Sequence, residues 1–447
     1  MIMDTHSIKK KLYPQIFDIC NLITSHNFSV YIVGGTIRSI LLDRKNAIDV
    51  DIATDATPED LKTIFPDAIV FGEKFGTIMV KRGNLNFEIT TLRSEDSYKD
   101  LRHPDKVSFI KDIHQDLARR DFTINALAYD IKNDVLLDDF GGIHDLRLGI
   151  IKCVGDPDSR FKEDALRLIR ACRFASVLGF TIEKNTLVSI TNNSGLLKSV
   201  SIERVRDEFI KILESDVPSK GINLLKDTGL LVHIIPELMD CIGVEQNKYH
   251  SLDVYDHSLL SCDKADVKVR LVALLHDIGK PKTKDGEHFY GHEIVGAQMA
   301  EVILNRLKFS RSYVDLVKKL ILLHLFNYTP EWTDAAVRRF MRKVGDDNVQ
   351  ELLFLLRFAD ERGNPKSTYD FSNIDDLKNR IENIRKRDEA ISIKDLKING
   401  DDIIKLGYVP GPSIRKVLNY LLEKVLDDPS LNNKDKLINL VKSYNNS

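Results

Sequence analysis

The sequence predicts an α+β protein with a mixed α/β head over residues 1–150 and an all-helical remainder. Short apolar strand patterns alternate with helix starts in the head, whereas later segments such as VRLVALLHDIGK keep helical spacing. The chain has 447 residues, which allows about three domains of roughly 150 residues each. We expect boundaries near residues 150, 245 and 365, which divide the chain into 1–150, 151–245, 246–365 and 366–447.

The composition is that of a soluble globular protein, with 43% hydrophobic and 30% charged residues. No apolar run approaches the ~18 residues of a membrane span, and the N-terminus lacks the apolar core of a secretory signal. The five cysteines are scattered without CxxC spacing, so we expect reduced thiols, no disulfide framework and no zinc ribbon. These features predict a cytoplasmic protein.

The charges nearly cancel, with 65 Lys and Arg against 67 Asp and Glu. The balance gives no global signal for nucleic-acid binding. It leaves room for a local basic surface, which is what phosphate contacts require.

The first elements of the head are a strand in SVYIVGG, a helix in TIRSILLD and a strand in AIDVDIAT. TPEDLKTIF predicts a helix start, with Thr57 at the N-cap and Pro58 in the first turn. GTIMVKRGNLNFEITTLR predicts a hairpin that turns at residues 82–84. The charged segment 93–118 has weak periodicity and is expected to be a mobile loop for part of its length.

Two aspartates stand out within a predicted strand, in DVDIAT. Residues two apart share one face of a strand, so Asp49 and Asp51 project together while Ile48, Val50 and Ile52 face the other side. Two nearby carboxylates repel unless a cation lies between them, and Mg²⁺ prefers oxygen ligands. A solvent-facing polar strand face is the alternative for this common pattern.

Neighbouring residues favour a phosphate site over a plain polar face. Gly34 and Gly35 end a strand and open a helix, so the backbone can approach a ligand closely. Arg38 follows one turn later. Glu88 lies on the polar face of LNFEITT, either as a third metal-facing carboxylate or simply exposed.

Two later motifs combine arginines with polar acceptors. RRDFTINA provides Arg120, a bidentate phosphate donor by type, with Asp121 and Asn125 four residues apart, on one face if that segment is helical. EDALRLIRACRFASVLGF predicts one long helix ending at Gly179. Residues 160–173 carry five basic groups against two acidic ones, an excess that suits a triphosphate or an RNA end. The candidate binding residues there are Asp164, Arg167, Arg170 and Arg173.

Asp164 and Arg167 would form an acceptor and a donor on one edge of that helix. Such a pair can accept from the exocyclic amino group of cytosine or adenine and donate to the adjacent ring acceptor. Guanine and uracil present the opposite pattern and would leave buried polar groups unpaired. Ordinary salt bridges within the helix are the alternative.

Five ordered segments, VGGTIRSILL, DVD, RRDFTINALAYD, DDFGGIHDLRLGII and EDALRLIRACRF, resemble the class II tRNA nucleotidyltransferase and bacterial poly(A) polymerase family. The resemblance covers the first 180 residues. It implies a polymerase-β-type nucleotidyltransferase head followed by a helical neck, body and tail. It also implies that Asp49 and Asp51 hold Mg²⁺ in catalysis, and that Asp164 and Arg167 select CTP and ATP without a nucleic-acid template.

A second constellation lies in the helical part of the chain. DHSLLSC, LLHDIGKPKTK and RFADERGN contribute His257, His276, Asp277 and Asp360, which suit a mixed nitrogen and oxygen site for a transition metal. HDIGK resembles the HD-domain phosphohydrolases, and His292 and His324 are further candidate ligands. Some relatives have an active HD domain and others keep only the fold, so both outcomes stay open.

The tail, from LKINGDDIIKLGYVPGPSIRK onward, resembles the tRNA-binding tail of the same family. Arg415 and Lys416 could meet phosphate there, or form part of a solvated helix pair. The expected function is CCA addition to tRNA 3′ ends from CTP and ATP. The resemblance also implies that CC-only enzymes have a shortened segment at 93–118, and the segment here is as long as in complete CCA-adding relatives, so CC-only addition is not expected. A-only addition, poly(A) synthesis and an HD phosphohydrolase remain alternatives, and the oligomeric state is not predicted.

Overall fold

The computed structural model describes residues 8–44, 49–71, 76–98, 104–247, 251–368, 370–387 and 389–444. The chain divides into two compact units, Met1–Met239 and Asp240–Ser447. The finer division into four segments stays a prediction. Ile48 of the predicted strand lies outside the described residues, and so do residues 99–103 of the predicted mobile loop.

The first unit contains a sheet flanked by helices. Its strands are β1 (Val30–Val33), β2 (Asp49–Thr54), β3 (Ile69–Phe71), β4 (Thr77–Arg82), β5 (Leu85–Thr91), β6 (Arg93–Tyr98), β7 (Pro104–Phe109), β8 (Ala128–Asp130), β9 (Val135–Leu137), β10 (Ile150–Ile151) and β11 (Thr181–Ile182). Its helices are α1 (Ile8–Lys11), α2 (Pro14–Ser25), α3 (Gly34–Leu41), α4 (Pro58–Ile64), α5 (Ile113–Ala118), α6 (Gly142–Leu148), α7 (Pro157–Glu163), α8 (Leu166–Leu178), α9 (Lys184–Asn193), α10 (Ile202–Leu213) and α11 (Pro218–Asp227).

Seven of these strands form one sheet in the order β3-β4-β5-β2-β1-β8-β9, and the other four form the separate pairs β6-β7 and β10-β11. In the seven-stranded sheet, β2 and β5 run parallel, and the other neighbours are antiparallel. The register places Asp51 directly beside Glu88. Val50 and Ile52 are each 1% exposed, whereas Asp49 is exposed and Asp51 half-buried. The predicted alternation in this strand is therefore confirmed.

Two local predictions for the head are confirmed. Thr57 caps α4 by accepting from the backbone N–H of Asp60, whose side chain accepts in return from the Thr57 backbone. The hairpin of β4 and β5 pairs Arg82 with Leu85 around a turn at Gly83, which has a positive φ of 61°.

Segment 93–118 holds regular structure in its described part, where β6 and β7 pair as an antiparallel hairpin and α5 follows; the mobile loop over part of its length stays a prediction. One prediction for the head is wrong. The single helix over EDALRLIRACRFASVLGF is interrupted at Asp164, whose extended backbone (φ −141°, ψ 104°) separates α7 from α8. Gly179 ends α8 in the left-handed conformation, as its position predicts.

The second unit is helical, which confirms the α+β class with its helical remainder. Its helices are α12 (Val254–Lys264), α13 (Arg270–Leu275), α14 (Lys280–Thr283), α15 (His292–Arg306), α16 (Arg311–Leu323), α17 (Asp334–Val344), α18 (Asp347–Arg362), α19 (Ser372–Lys386), α20 (Gly400–Lys405), α21 (Pro412–Asp427) and α22 (Lys434–Tyr444). Within the described ranges, no helix combines the length and apolar character needed to cross a bilayer.

Candidate active site

A cavity of about 1050 Å³ opens in the first unit beside α3, β2 and α8. Ten residues predicted to bind nucleotide line it together: Gly34, Gly35, Arg38, Arg120, Asp121, Asn125, Asp164, Arg167, Arg170 and Arg173. Asp51 and Glu88 also line it. The described wall carries more cationic than anionic side chains, which suits a polyanionic ligand such as a triphosphate.

The glycine pair lets two charged side chains approach the start of α3. A Cβ atom on Gly34, whose φ is +60°, would lie 3.1 Å from Nη1 of Arg120. A Cβ atom on Gly35 would lie 3.2 Å from Oδ2 of Asp51. That same oxygen accepts the Gly35 backbone N–H at 3.1 Å. The glycines therefore bring Asp51 and Arg120 to one point of the cavity wall.

The predicted metal-binding carboxylates share one face of the sheet but differ in surroundings. Burial raises the pKa of Asp51, although Arg120 opposes the shift. Glu88 is exposed at the cavity wall, but partial desolvation raises its pKa, and the charges of Asp51 and Asp49 add to the effect. Asp49 is exposed, is not part of the cavity wall and accepts from the Asn86 amide at 2.9 Å. A cation would relieve the repulsion between these acids.

Asp121 is the centre of a buried polar network. Its Oδ2 accepts from Nε and Nη2 of Arg170 at 2.9 and 2.5 Å, and its Oδ1 accepts from the Asn125 amide at 2.9 Å. Arg38 donates in turn to Oδ1 of Asn125. Burial opposes ionisation of Asp121, but Arg170 outweighs it and holds the pKa well below its usual range. The network fixes two cavity arginines.

Sequence reasoning missed an aromatic residue that organises three arginines. The guanidinium carbons of Arg38, Arg170 and Arg173 lie 4.9, 5.2 and 4.0 Å from the ring centre of Phe174. Burial lowers the pKa of Arg38 and of Arg173 to about 10. No single-sequence signal distinguishes this phenylalanine from an ordinary core residue of an amphipathic helix.

A buried acid supports the same group from α10 and was also missed. Glu208 is 4% exposed, and its Oε2 lies 3.0 Å from Nε of Arg173. Its other oxygen lies 3.9 Å from Nη1 of Arg170. A charged residue on an amphipathic helix normally faces solvent, so only the contact with α8 reveals this role.

Asp164 and Arg167 both line the cavity but do not lie on one continuous helix edge. Asp164 is held by Arg204 of α10, with Nη2 of the arginine 2.9 Å from Oδ2. Arg167 donates instead to Glu163 at 2.6 Å and to the backbone carbonyl of Arg119 at 2.9 Å. The helix break at Asp164 is the physical reason for the difference. Arg204 carries no sequence signal for this pairing.

A second cluster lies within the second unit. His257, His276 and Asp360 form one group whose ligand atoms lie within 4.8 Å of one another, and Asp277, His292 and His324 form another. Nε2 of His257 lies 3.1 Å from Oδ1 of Asp360, and Nε2 of His292 lies 3.3 Å from Oδ1 of Asp277. The structure thus brings together all four predicted HD residues and both additional histidines.

Each histidine of this cluster is oriented by a backbone carbonyl. Nδ1 of His257 lies 3.2 Å from the carbonyl oxygen of Gly363, and Nδ1 of His276 lies 2.7 Å from that of Ala273. Nδ1 of His292 lies 2.7 Å from the carbonyl oxygen of Phe289, and Nδ1 of His324 lies 2.6 Å from that of Ile321. When Nδ1–H donates to a carbonyl, Nε2 presents its lone pair. Four such atoms and two carboxylates therefore converge, a donor set that suits a divalent transition metal.

The carboxylates of the cluster are ready to act as anionic ligands. Burial opposes ionisation of Asp277, but His276 and Lys280 outweigh it, and its pKa lies well below the usual range. The pKa of Asp360 is also far below its usual value, because His257 and His276 overcome its burial. The buried Nε2 of His292 has no hydrogen-bond partner among the described residues, as expected for a ligand atom.

In the tail, Arg415 and Lys416 are exposed in the first turn of α21, after Gly411 and Pro412. This placement agrees with a phosphate contact and equally with a solvated helix.

Comparisons with known proteins match three successive parts of the chain. Residues 30–152 match the poly A polymerase head domain. Residues 179–242 match a probable RNA and SrmB-binding site of polymerase A, and residues 248–370 match the HD domain.

Curated relatives match over nearly the whole chain. The CCA-adding enzyme of Ligilactobacillus salivarius is 33% identical over 429 residues, which covers 95% of each chain. That of Limosilactobacillus fermentum is 32% identical over 424 residues and 94% of each chain.

Solved structures agree with these relatives. The Bacillus stearothermophilus CCA-adding enzyme in complex with CTP has a TM-score of 0.72 and 27% identity, and the match covers 97% of this chain and 98% of that one. The fold is also that of the Thermotoga maritima CCA-adding enzyme complexed with tRNA, at a TM-score of 0.58, 22% identity and coverage of 99% of each chain. The protein described here belongs to the CCA-adding enzymes and is a tRNA nucleotidyltransferase.

Proposed function

We propose that the cavity of the first unit is the site at which this protein adds C, C and A to the 3′ end of tRNA, using CTP and ATP and releasing pyrophosphate. The observation that carries the assignment is the convergence of ten predicted nucleotide-binding residues and Asp51 on one cation-rich cavity. The long-range pairing of Asp121 with Arg170 and of Asp164 with Arg204 holds motifs from distant parts of the chain in this wall.

The carboxylates of Asp49 and Asp51 would hold a divalent cation, with Glu88 as a further ligand. The fit rests on the register that sets Asp51 beside Glu88 and on the raised pKa of both acids, caused first by desolvation. Mg²⁺ is the proposed ion, because it takes carboxylate and phosphate oxygens. When bound, it would neutralise phosphate charge and lower the pKa of the RNA 3′-hydroxyl.

The side chains of the protein bind and orient the nucleotide. Arg120 and Arg38 lie close to Asp51 at the start of α3, where they can bind the triphosphate. Asp121 and Asn125 hold Arg170 and Arg38 in place. Arg170 and Arg173 extend the cationic wall along α8.

Asp164 and Arg167 would read the base. Asp164 can accept from the exocyclic amino group shared by cytosine and adenine, and Arg167 can donate to the neighbouring ring atom. Nη2 of Arg204 donates a hydrogen bond to Oδ2 of Asp164. Base binding therefore requires Arg204 to share this carboxylate or to move away from it.

An extension assay tests the proposal with tRNA that ends before CCA. With the wild-type protein we expect two additions from CTP alone and three from CTP with ATP. Extension of tRNA-CC by ATP only would indicate the A-adding enzyme, and long A runs would indicate the poly(A) polymerase.

Variants test the catalytic assignment in the same assay. Asp49→Ala and Asp51→Ala should each lose nearly all incorporation, whereas Asp67→Ala removes an exposed acid that pairs with Arg82 and should leave it unchanged. Near-wild-type activity in either of the first two variants would refute the assignment of that residue.

A second candidate function concerns the HD cluster, for which we propose a divalent transition metal and a phosphohydrolase side activity. The observation in its favour is the convergence of four histidine Nε2 atoms with Asp277 and Asp360. Metal analysis of the purified protein tests it.

His276→Ala and Asp277→Ala should each lower the bound metal, and the phosphatase activity should fall with it. His288→Ala provides the control, because His288 is exposed, stacks on Tyr290 and is not one of the cluster residues. Unchanged metal content in both cluster variants rejects the site.

We further propose that the protein acts in the cytoplasm and that its tail binds tRNA. The five free, buried cysteines support the first part, since they suit a reducing compartment. The exposed Arg415 and Lys416 support the second. Arg415→Ala with Lys416→Ala should weaken tRNA binding without changing the KM for CTP.

A further inference from the structure

A buried carboxylate lies behind the cavity wall on α5. Asp116 is 1% exposed and is not itself part of the described lining of the cavity. A fully buried acid costs free energy unless it is paired and hydrogen-bonded. The contacts of Asp116 therefore show what its burial accomplishes.

Asp116 binds the guanidinium groups of two successive arginines. Its Oδ1 lies 2.5 Å from Nη2 of Arg119 and accepts from Nε of the same residue at 3.1 Å. Its Oδ2 accepts from Nη2 and Nε of Arg120 at 3.1 and 3.3 Å. Arg119 and Arg120 both line the cavity. One carboxylate thus fixes two cavity arginines from behind.

The pairing sets where Arg120 points. With Nε and one Nη held by Asp116, the remaining Nη1 lies 3.4 Å from the Asn125 carbonyl oxygen and 3.1 Å from the Cβ position of Gly34. The pKa of Asp116 is lowered, because Arg120 and Arg119 together outweigh the effect of burial. The acid is therefore charged at neutral pH, and the geometry of the arginine fork is fixed before any ligand enters.

The same carboxylate connects further parts of the wall. Oδ1 accepts the backbone N–H of Arg93, at the start of the β6–β7 hairpin, at 3.4 Å. Arg119, which Asp116 holds, also donates from Nε to the Arg93 carbonyl at 3.0 Å. The Arg119 carbonyl in turn accepts from Arg167 at 2.9 Å.

We propose that Asp116 is a positioning residue for nucleotidyl transfer, which fixes Arg120 beside Asp51 so that its guanidinium meets the triphosphate. Asp116 does not touch the nucleotide and acts through Arg120. The inference rests on the proposed function of the cavity. Because every nucleoside triphosphate carries the same phosphates, the role is common to CTP and ATP and independent of the base.

Steady-state kinetics of Asp116→Asn test this role. Misplacing a positioning group by about 1 Å costs on the order of 100-fold, so we expect the KM for CTP and for ATP to rise at least tenfold and by the same factor. The KM for tRNA should not change. Equal losses in all nucleotide and tRNA parameters would indicate a general structural role and overturn the proposal.

Asp112→Asn is the matched control. Asp112 caps the same short helix by accepting the His114 N–H at 2.9 Å, but it is not part of the cavity lining. Its substitution should leave the KM for CTP near the wild-type value. Because Asn also caps helices, this variant removes a charge at α5 and keeps the cap. The same rise as in Asp116→Asn would assign the effect to loss of any negative charge there and overturn the proposal.

Asp116→Glu keeps the charge and moves it by one methylene, so its KM for CTP should lie between those of the wild type and Asp116→Asn. This variant also serves if Asp116→Asn does not fold. The role would be refuted if folded Asp116→Glu had the wild-type KM for CTP and Asp116→Asn, where it folds, had it as well.

A double-mutant cycle with Arg120→Lys separates this inference from the function on which it rests. If Asp116 acts through Arg120, adding Asp116→Asn to Arg120→Lys should cost little more than Arg120→Lys alone. Fully additive losses would refute the coupling while leaving Arg120 as a phosphate ligand. Full activity of Arg120→Lys would instead remove Arg120 from the proposed nucleotide site itself.

Discussion

Asp121 and Arg170 form a two-contact ion pair across 49 residues of sequence, in which one carboxylate oxygen accepts from both Nε and Nη2. The pair connects the segment after α5 to the middle of α8. Arg170 also lies over Phe174, so the pair fixes an aromatic and cationic part of the cavity wall.

Asp121→Asn should destabilise the protein by about 2 kcal/mol at neutral pH. Breaking a fully buried pair costs ~3–5 kcal/mol, and the estimate is lower because the Arg170 side chain is 30% exposed. Urea unfolding of the wild type and the variant measures the difference in the free energy of unfolding, taken from the transition in which the first unit unfolds. Asp158→Asn, which alters a surface acid bound by Asn193, should shift that transition less.

The same pair predicts a pH dependence with a defined sign. The pKa of Asp121 is lower in the folded protein than in the unfolded chain, where it is about 3.9. Its stabilisation is therefore present in full above that unfolded value and declines as pH falls towards the folded one. The stability gap between wild type and Asp121→Asn should be constant above about pH 5 and shrink near pH 4. A gap that grows on acidification would contradict this pairing.

Gly34→Ala should weaken nucleotide binding in addition to lowering the stability of the protein. A left-handed alanine costs roughly 1–2 kcal/mol, and the new Cβ would also lie 3.1 Å from Nη1 of Arg120. Gly155→Ala is the matched control, since Gly155 has a φ of +69° but no atom within 4 Å of its Cβ position. We expect a similar loss of stability in both variants and a rise in the KM for CTP in Gly34→Ala alone. Equal KM values in the two variants would show that the contact with Arg120 has no effect on binding.

Local rules account for the parts of the head that the sequence predicted correctly. Strand alternation placed Asp49 and Asp51 on one face, and the Thr57 cap follows from residues three apart. The helix break at Asp164 escaped prediction, because the pairing of this acid with Arg204 spans 40 residues. The β6–β7 hairpin escaped it because its charged residues lack the apolar alternation that indicates a strand.

The sequence predicted the residues of the candidate site that would touch a ligand. It did not predict the residues that hold those side chains in place. Arginines and carboxylates in ordered motifs carry a chemical signal. Asp116, Phe174 and Glu208 act through contacts with residues on other elements or in adjacent turns, and their types are common in any helix. Such supporting residues become visible only when burial and partners are known.

Asp164→Ala should relax base selection. Loss of the carboxylate removes the acceptor for the cytosine and adenine amino groups and also frees Arg204, whose Nη2 lies 2.9 Å from Oδ2. We expect the ratio of CTP to UTP incorporation to fall at least tenfold, because a paired hydrogen-bond contact discriminates bases by about 1–3 kcal/mol. Competition assays on tRNA lacking CCA measure it. Asp156→Ala, which removes only the cap of α7, should keep the wild-type ratio.

The thiols should react slowly in the native protein. All five cysteines are free and buried, and burial raises the pKa of Cys20, Cys153, Cys172 and Cys241 to about 12. A disulfide reagent at pH 8 should therefore titrate few thiols before unfolding and five after it, because the thiolate is the reactive form. Rapid reaction of several thiols in the folded protein would contradict the burial of these residues.

Removal of metal should destabilise the second unit through the HD cluster. An ion that binds only the folded state stabilises it by about 2.7 kcal/mol at a free concentration 100 times its Kd. Chelation should thus lower the thermal midpoint of the wild-type protein. In the wild type, Nε2 of His292 lies 3.3 Å from Oδ1 of Asp277. His292→Gln removes this imidazole, so the chelator should lower its thermal midpoint less. His288→Gln should respond as the wild type does, because His288 is stacked on Tyr290 outside the cluster. An equal response of all three proteins would place the stabilising ion elsewhere, since His292 belongs to the cluster and His288 does not.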